Sequence, residues 1–139
     1  MTPLLERLRH RGWRLTAQRR VIAEAMAGDH VHLAADEVFE RARERLPEVS
    51  LATVYNTLNE LVSMGELAEI THTDGRKRYD PNVAEPHHHL VCVDCGEMLD
   101  VITEDPRLPT DQQHGFELLG VETTFRGRCP DCAASVSSA

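Results

Sequence analysis

Residues 50–80, SLATVYNTLNELVSMGELAEITHTDGRKRYD, decide the fold. Ser50 can cap a helix in which Leu51, Val54, Leu58, Leu61 and Val62 recur every three or four residues, and Gly65 supplies the stop. Two short strand candidates follow, Glu66 to His72 and Lys77 to Asp80, joined by Thr73-Asp74-Gly75-Arg76, where Asp-Gly is a strong hairpin signal. A helix followed by a basic hairpin is the pattern of a winged helix, with Ser50 to Met64 as the recognition helix and the hairpin as the wing. That helix contains no Arg or Lys; Thr53, Tyr55, Asn56 and Asn59 are its outward groups, suited to adenine edges, thymine methyls and phosphates. The plainer alternative makes Tyr55 a half-buried core residue and Asn56 ordinary surface.

Working back towards the N-terminus, three more helices fit the chain. Thr2 can cap the first, with Pro3 at its first position, Leu4, Leu5 and Leu8 on one face and an end by Gly12. Thr16 caps the second, whose stripe is Val21, Ile22, Ala25 and Met26, before Gly28 and Asp29 break it. The third runs from Ala34 to Leu46, buries Val38, Phe39, Ala42 and Leu46, and is closed by Pro47.

The chain has 139 residues and 41% hydrophobic content, enough for a core and too little for a membrane protein. Met1 to Arg11 has alternating arginines and no apolar run of signal-peptide length, so a cytoplasmic location is expected. The net charge of −8 looks wrong for a nucleic-acid binder until it is divided. Residues 1–80 carry 12 Lys+Arg against 13 Asp+Glu, giving −1, whereas residues 81–139 carry 3 against 10, giving −7. Residues 1–20 hold six arginines (Arg7, Arg9, Arg11, Arg14, Arg19, Arg20) against Glu6 alone, and Arg76, Lys77 and Arg78 form a second cluster. Such clusters can neutralise phosphates, although a solvated charged face is the competing reading.

Beyond the wing, Pro81 to Pro86 reads as a hinge, leaving domains of residues 1–80 and 87–139. Strand-like pieces His87 to Val91, Met98 to Ile102 and Leu118 to Phe125 make the whole an α+β chain, and the small, serine-rich tail Ala133 to Ala139 is expected to fray. All four cysteines lie in two Cys-x-x-Cys pairs, Cys92/Cys95 and Cys129/Cys132. Four thiolates so spaced suit a tetrahedral zinc site; disulfides are the competing use, disfavoured without a secretory signal. A module under sixty residues buries little apolar surface, so a zinc clamp and a dimer interface are the expected remedies. The histidine run His87, His88 and His89, with Asp80 and Asp100 nearby, points to a second site of nitrogen and oxygen donors. A zinc hydrolase could use such ligands, but no separate general base or substrate pocket is evident, and no enzymatic activity is expected.

Three stretches carry a resemblance: Gly12-Trp13-Arg14-Leu15-Thr16-Ala17-Gln18-Arg19, Ser50-Leu51-Ala52-Thr53-Val54-Tyr55, and His87-His88-His89-Leu90-Val91-Cys92-Val93-Asp94-Cys95-Gly96. Together they resemble the ferric uptake regulator family over almost the whole chain. The resemblance implies a homodimeric metalloregulator with an N-terminal winged-helix DNA-binding domain, a small C-terminal dimerisation domain and structural zinc on Cys92, Cys95, Cys129 and Cys132. It implies a regulatory Fe(II) or Mn(II) site on His32, Asp80, His87, His89 and Asp100. It also implies a palindromic double-stranded DNA operator, with Arg14, Arg19, Thr53, Tyr55 and Asn56 as candidate contacts.

Many iron sensors of the family carry Glu where this chain has Asp100 and Arg where it has Asn56; the peroxide-sensing branch is similar to this chain at both positions. The resemblance therefore implies a repressor of peroxide-defence genes, in which His32 or His87 is the histidine oxidised. An iron-, zinc- or nickel-responsive uptake regulator is the alternative. Val121 and Thr123 stand where members with a further metal site place histidine, so a complete third site is not expected. His88 is then expected to face solvent, and His10, His30, His72 and His114 to lie on the surface. Thr103 to Gly115 is short and proline-broken beside the family's usual helix there.

Overall fold

The computed structural model describes residues 2–137, and these separate into two compact units, one ending at Glu85 and the other beginning at Pro86. The first contains α1 (Leu4–His10), α2 (Ala17–Ala25), α3 (Ala35–Arg45) and α4 (Leu51–Ser63), then β1 (Ala68–Thr71) and β2 (Lys77–Asp80). The Thr16 and Ser50 side-chain oxygens accept hydrogen bonds from the Arg19 and Thr53 amides, 3.2 and 3.1 Å away, so both predicted caps form. The cap predicted at Thr2 does not: Pro3 occupies the cap position of α1, and Arg7 draws on the Thr2 carbonyl instead. Gly65 has φ +76°, the left-handed conformation that ends a helix without a Cβ clash.

The core of this unit joins Leu4, Leu8, Ile22, Met26, Val38, Ala42, Val54, Leu58, Leu61 and Tyr79, with Phe39, Leu46 and Val62 packed partly buried against it. Leu51 departs from expectation and is 41% exposed. At 100° per residue the buried set Val54, Thr57, Leu58 and Leu61 centres the stripe away from Leu51, which is left on its flank in the first turn. β1 and β2 pair antiparallel, Ala68 opposite Asp80 and Thr71 opposite Lys77, and a Gly75-to-His72 bond of 2.8 Å closes the intervening turn. Leu33 and Tyr79 exchange two backbone bonds of 3.3 and 2.8 Å, adding a third edge to the hairpin.

The second unit is a three-stranded sheet, ordered β4-β3-β5, of β3 (His88–Cys92), β4 (Met98–Val101) and β5 (Thr124–Gly127), followed by α5 (Pro130–Ser137). β3 runs antiparallel to β4 and parallel to β5. The third strand lies later than the predicted Leu118 to Phe125. β3 offers partners only from His89, opposite Thr124, to Cys92, opposite Gly127, so residues ahead of Thr123 find no ladder to join. Within residues 103–115 only a 3₁₀ turn forms, at Thr110–Gln112, introduced by Pro109. The tail expected to fray from Ala133 is helical through Ser137, with Ala133 bonded to the Cys129 carbonyl at 2.9 Å; Ser138 and Ala139 lie outside the described residues. No helix among the described residues is long and apolar enough to cross a membrane.

Candidate metal centres and DNA-binding surface

The parallel register of β3 and β5 sets Cys92 beside Gly127, so Cys129 arrives two residues past the end of β5 next to the first knuckle. In that knuckle the Gly96 amide donates to the Cys92 carbonyl at 3.0 Å and Gly96 takes φ +81°, which turns the chain tightly enough to bring Cys95 back towards Cys92. The Cys129 amide points at the Cys92 sulfur, and the Cys132 amide at the Cys129 sulfur, both at 3.4 Å. Arg128 Nε donates to Asp94 Oδ2 at 2.8 Å, tying the two knuckles together outside the sulfur cluster.

All four sulfurs lie within 4.8 Å of one another and none is in a disulfide. Cys95 and Cys129 are 3.9 Å apart, close to the edge of about 3.8 Å that a tetrahedron with bonds of about 2.3 Å requires. The thiols compete for charge. Backbone amides of Cys95, Cys129 and Asp94 pull Cys92 down to about 6 against the opposing effect of burial, whereas Cys132 is pushed up by the sulfurs of Cys129 and Cys92. A divalent cation removes that repulsion by accepting all four thiolates, and the residues fit a structural zinc.

The nitrogen and oxygen donors are placed by strand pairing. In the first unit the Leu33–Tyr79 bridge fixes the neighbours on either side, so His32 Nε2 lies 3.5 Å from Asp80 Oδ2, both side chains buried. Asp80 Oδ1 also accepts from the Asn82 amide at 2.8 Å, which aims the carboxylate. In the second unit His89 pairs across the sheet with Asp100, and His87 shares its face by the two-residue alternation of an extended chain. Asp100 Oδ1 is 3.5 Å from His87 Nε2 and 3.6 Å from His89 Nε2, with the two rings edge to face at 4.8 Å. Two donors each about 2.1 Å from one ion lie no more than about 4.2 Å apart, so each grouping fits divalent-metal ligation.

His88 is a correction. Pointing to the opposite face of β3, it is buried, not solvent-exposed. Its Nδ1 accepts from the Thr123 amide at 3.0 Å, and its Nε2 meets Asp105 Oδ1 at 2.7 Å. It thus fastens both ends of the long β4–β5 connection to the start of β3. His72 is also buried rather than on the surface: its Nδ1 accepts from the Asp74 amide at 3.1 Å inside the wing turn. His10, His30 and His114 are exposed as expected.

Of the candidate DNA contacts, Tyr55 is 46% exposed, and Asn56 and Arg14 are exposed too. Thr53 is half-buried and its hydroxyl accepts from Ser50 Oγ at 2.8 Å, within the helix cap. Arg19 stacks over Trp13, 4.1 Å from the ring centroid, and pairs with Glu60 at 3.2 Å, while Trp13 Nε1 donates to the same carboxylate. Sequence reading missed several structural arginines. Arg7 donates to Glu66 Oε2 at 2.9 Å and to the Pro81 carbonyl at 3.0 Å, and Arg11 reaches Glu66 Oε1 at 3.1 Å. In the wing, Arg76 pairs with Asp36, Lys77 with Glu69 and Arg78 with Glu37 and Asp74. Lys77–Glu69 and Arg78–Asp74 are near neighbours, but Arg7 and Arg11 reach Glu66 across 59 and 55 positions, and Arg76 and Arg78 reach Asp36 and Glu37 across 40 and 41, separations that leave no local sequence signal.

The ferric uptake regulator family profile matches residues 10–125. The chain is 34% identical over 137 residues to the ferric uptake regulation protein of Synechococcus elongatus, covering 93% of this chain and 92% of that one. It is 31% identical over 129 residues to the peroxide-responsive repressor PerR of Staphylococcus aureus, covering 90% and 86%. Among solved structures, a zinc-bound manganese uptake regulator superposes with a TM-score of 0.69 at 29% identity, over 92% of this chain and 99% of that one. Members of the family are DNA-binding, dimeric transcriptional regulators rather than enzymes. With its α+β fold and four-cysteine cluster, the chain belongs to the ferric uptake regulator family and is a metal-responsive transcriptional regulator.

Proposed function

We propose that this regulator is a peroxide-sensing repressor of peroxide-defence genes, acting as a cytoplasmic homodimer on a palindromic double-stranded operator. His32, Asp80, His87, His89 and Asp100 hold the regulatory Fe(II) or Mn(II), and Cys92, Cys95, Cys129 and Cys132 hold the zinc. The observation that carries the reading is Asp100: one short carboxylate whose Oδ1 stands 3.5 and 3.6 Å from two imidazoles. A Glu there, as in many iron sensors of the family, reaches one methylene further and changes how the carboxylate meets the ion. Fe(II), when bound, supplies the one-electron chemistry with H₂O₂ that leaves a ligand imidazole oxidised, at His32 or His87. His32, His87 and His89 would supply imidazole nitrogens to that ion, and Asp80 and Asp100 would supply carboxylate oxygens.

Arg14, Arg19, Thr53, Tyr55 and Asn56 serve the DNA side of this reading. Asn56 and Tyr55 stand exposed on α4 and reach base edges, Arg14 supplies charge, and Arg19 and Thr53 hold the start of α2 and of α4 in place. The test is Asp100→Glu. Loaded with Mn(II) or Fe(II), the variant keeps metal-dependent DNA binding, but its Fe(II) form no longer releases DNA at low H₂O₂ as the wild type does. Equal peroxide sensitivity in the two proteins counts against the role given to Asp100. Relatives of the iron-uptake and peroxide-responsive kinds match at similar identity, 34% and 31%, which makes an iron-, zinc- or nickel-responsive uptake regulator the second reading.

A further inference from the structure

The wing is basic in sequence and close to neutral in structure. Arg76, Lys77 and Arg78 all meet carboxylates of their own unit, and the two arginines reach back to neighbouring residues of α3, Asp36 and Glu37. The two pairs differ in kind. Arg78 is 13% exposed, held by Glu37 at 2.7 Å and by Asp74 at 2.9 Å, and Glu37 also caps the Ala34 amide at 3.0 Å; this pair is part of the architecture. Arg76 and Asp36 are 50% and 61% exposed, and they line an open groove with Tyr55 and Asn59 of α4. The Arg76 amide is fixed by Asp74 Oδ1 at 2.8 Å, so its guanidinium swings from an anchored backbone.

From this we infer that Asp36 is a specificity-determining residue: its carboxylate occupies the guanidinium of Arg76 and withholds one phosphate-binding cation from DNA that does not seat α4. The inference rests on the reading of α4 and the wing as the DNA-binding surface. A half-exposed ion pair contributes little net stability, so a phosphate can displace Asp36 cheaply once base contacts hold the duplex in register. On a duplex without those contacts the competition is repeated at every register and non-specific affinity is lowered. Asp36 therefore widens the gap between specific and non-specific binding without touching a base.

The test uses the full-length dimer loaded with zinc and Mn(II), a duplex selected by the wild type from a random pool, and a random-sequence duplex of equal length, titrated over a range of salt. Asp36→Asn binds the random duplex several-fold more tightly, with a log–log salt slope steeper by about 1.8, the value of two added phosphate contacts, one from each protomer. The selected duplex gains less, so the specificity ratio falls. Adding Arg76→Ala restores the wild-type slope. Glu44→Gln is the control for bulk charge: Glu44 is exposed on the same helix, eight residues or about 12 Å along it, beyond one Debye length of about 10 Å at 0.1 M salt. An Asp36→Asn effect no larger than that of Glu44→Gln overturns the inference and leaves the DNA-binding reading intact. A wild-type protein that selects no duplex overturns both.

Discussion

Glu66 is the residue on which Arg7 of α1 and Arg11, at the C-terminal cap of α1, converge, and its titration is a direct handle on how α1 is held. Burial pushes its carboxyl up, but hydrogen bonds and charge from Arg7 and Arg11 outweigh that and hold it below the usual value. A depressed folded-state value stabilises above the ordinary carboxylate pKa of about 4.3, and the contribution is lost as pH falls through the depressed value. Urea midpoints of the wild type should therefore drop more steeply than those of Glu66→Gln as pH is lowered past about 4.3; parallel profiles would show that the pairs contribute nothing to stability. On α4, Asn56→Ala should lower discrimination at one base pair by about 1–3 kcal/mol if the contact is bidentate. Arg14→Ala should weaken selected and random duplexes alike and shallow the salt slope. Competition assays separate the two, and a uniform loss for Asn56→Ala assigns it to backbone positioning. His88 marks where residue-level reading stops: alternation correctly turned it away from His87 and His89, but what lies on that face, Asp105 and the Thr123 amide, comes from a connection with no periodic signal.

At the scale of elements, legibility followed periodicity. α2, α3 and α4 were readable because each repeats an apolar stripe between local start and stop signals, and the wing because Asp74-Gly75 interrupts two extended runs. β5 was not, since Leu118, Leu119 and Val121 form an apolar run as good as any strand yet stay exposed; what selects Thr124–Gly127 is register with β3, a long-range condition. The two knuckles were visible as spacing, but their closure depends on that same register. Replacing Cys95 by Ser should remove zinc and unfold the second unit, because a sheet of 5-, 4- and 4-residue strands has little other cohesion. Metal analysis with sedimentation equilibrium decides: a zinc-free Cys95→Ser protein that remains a folded dimer rules out the clamp.

Over the whole molecule, charge divides the chain, whereas the nitrogen and oxygen donors do not follow that line: His32 and Asp80 belong to the first unit and His87, His89 and Asp100 to the second. The N-terminal unit pairs most of its basic clusters with its own acids and presents Tyr55, Asn56 and Arg14, while the strongly acidic half contains the four clustered cysteines and the His87, His89 and Asp100 donors. The donor types were legible as motifs; the metal they carry in the cell and the signal they report are properties of reactivity, which sequence spacing does not encode. The proposed reading of peroxide is oxidation of a metal-bound histidine. It is tested by loading the zinc-containing protein anaerobically with Fe(II) or Mn(II), adding H₂O₂, and following DNA binding and peptide mass in the same samples. The Fe(II) protein should release DNA and gain one oxygen atom on the peptide containing His32 or His87, while the Mn(II) protein should keep both its DNA and its mass. An Fe(II) protein that keeps its DNA and its mass after peroxide contradicts it and leaves metal uptake as the regulated process.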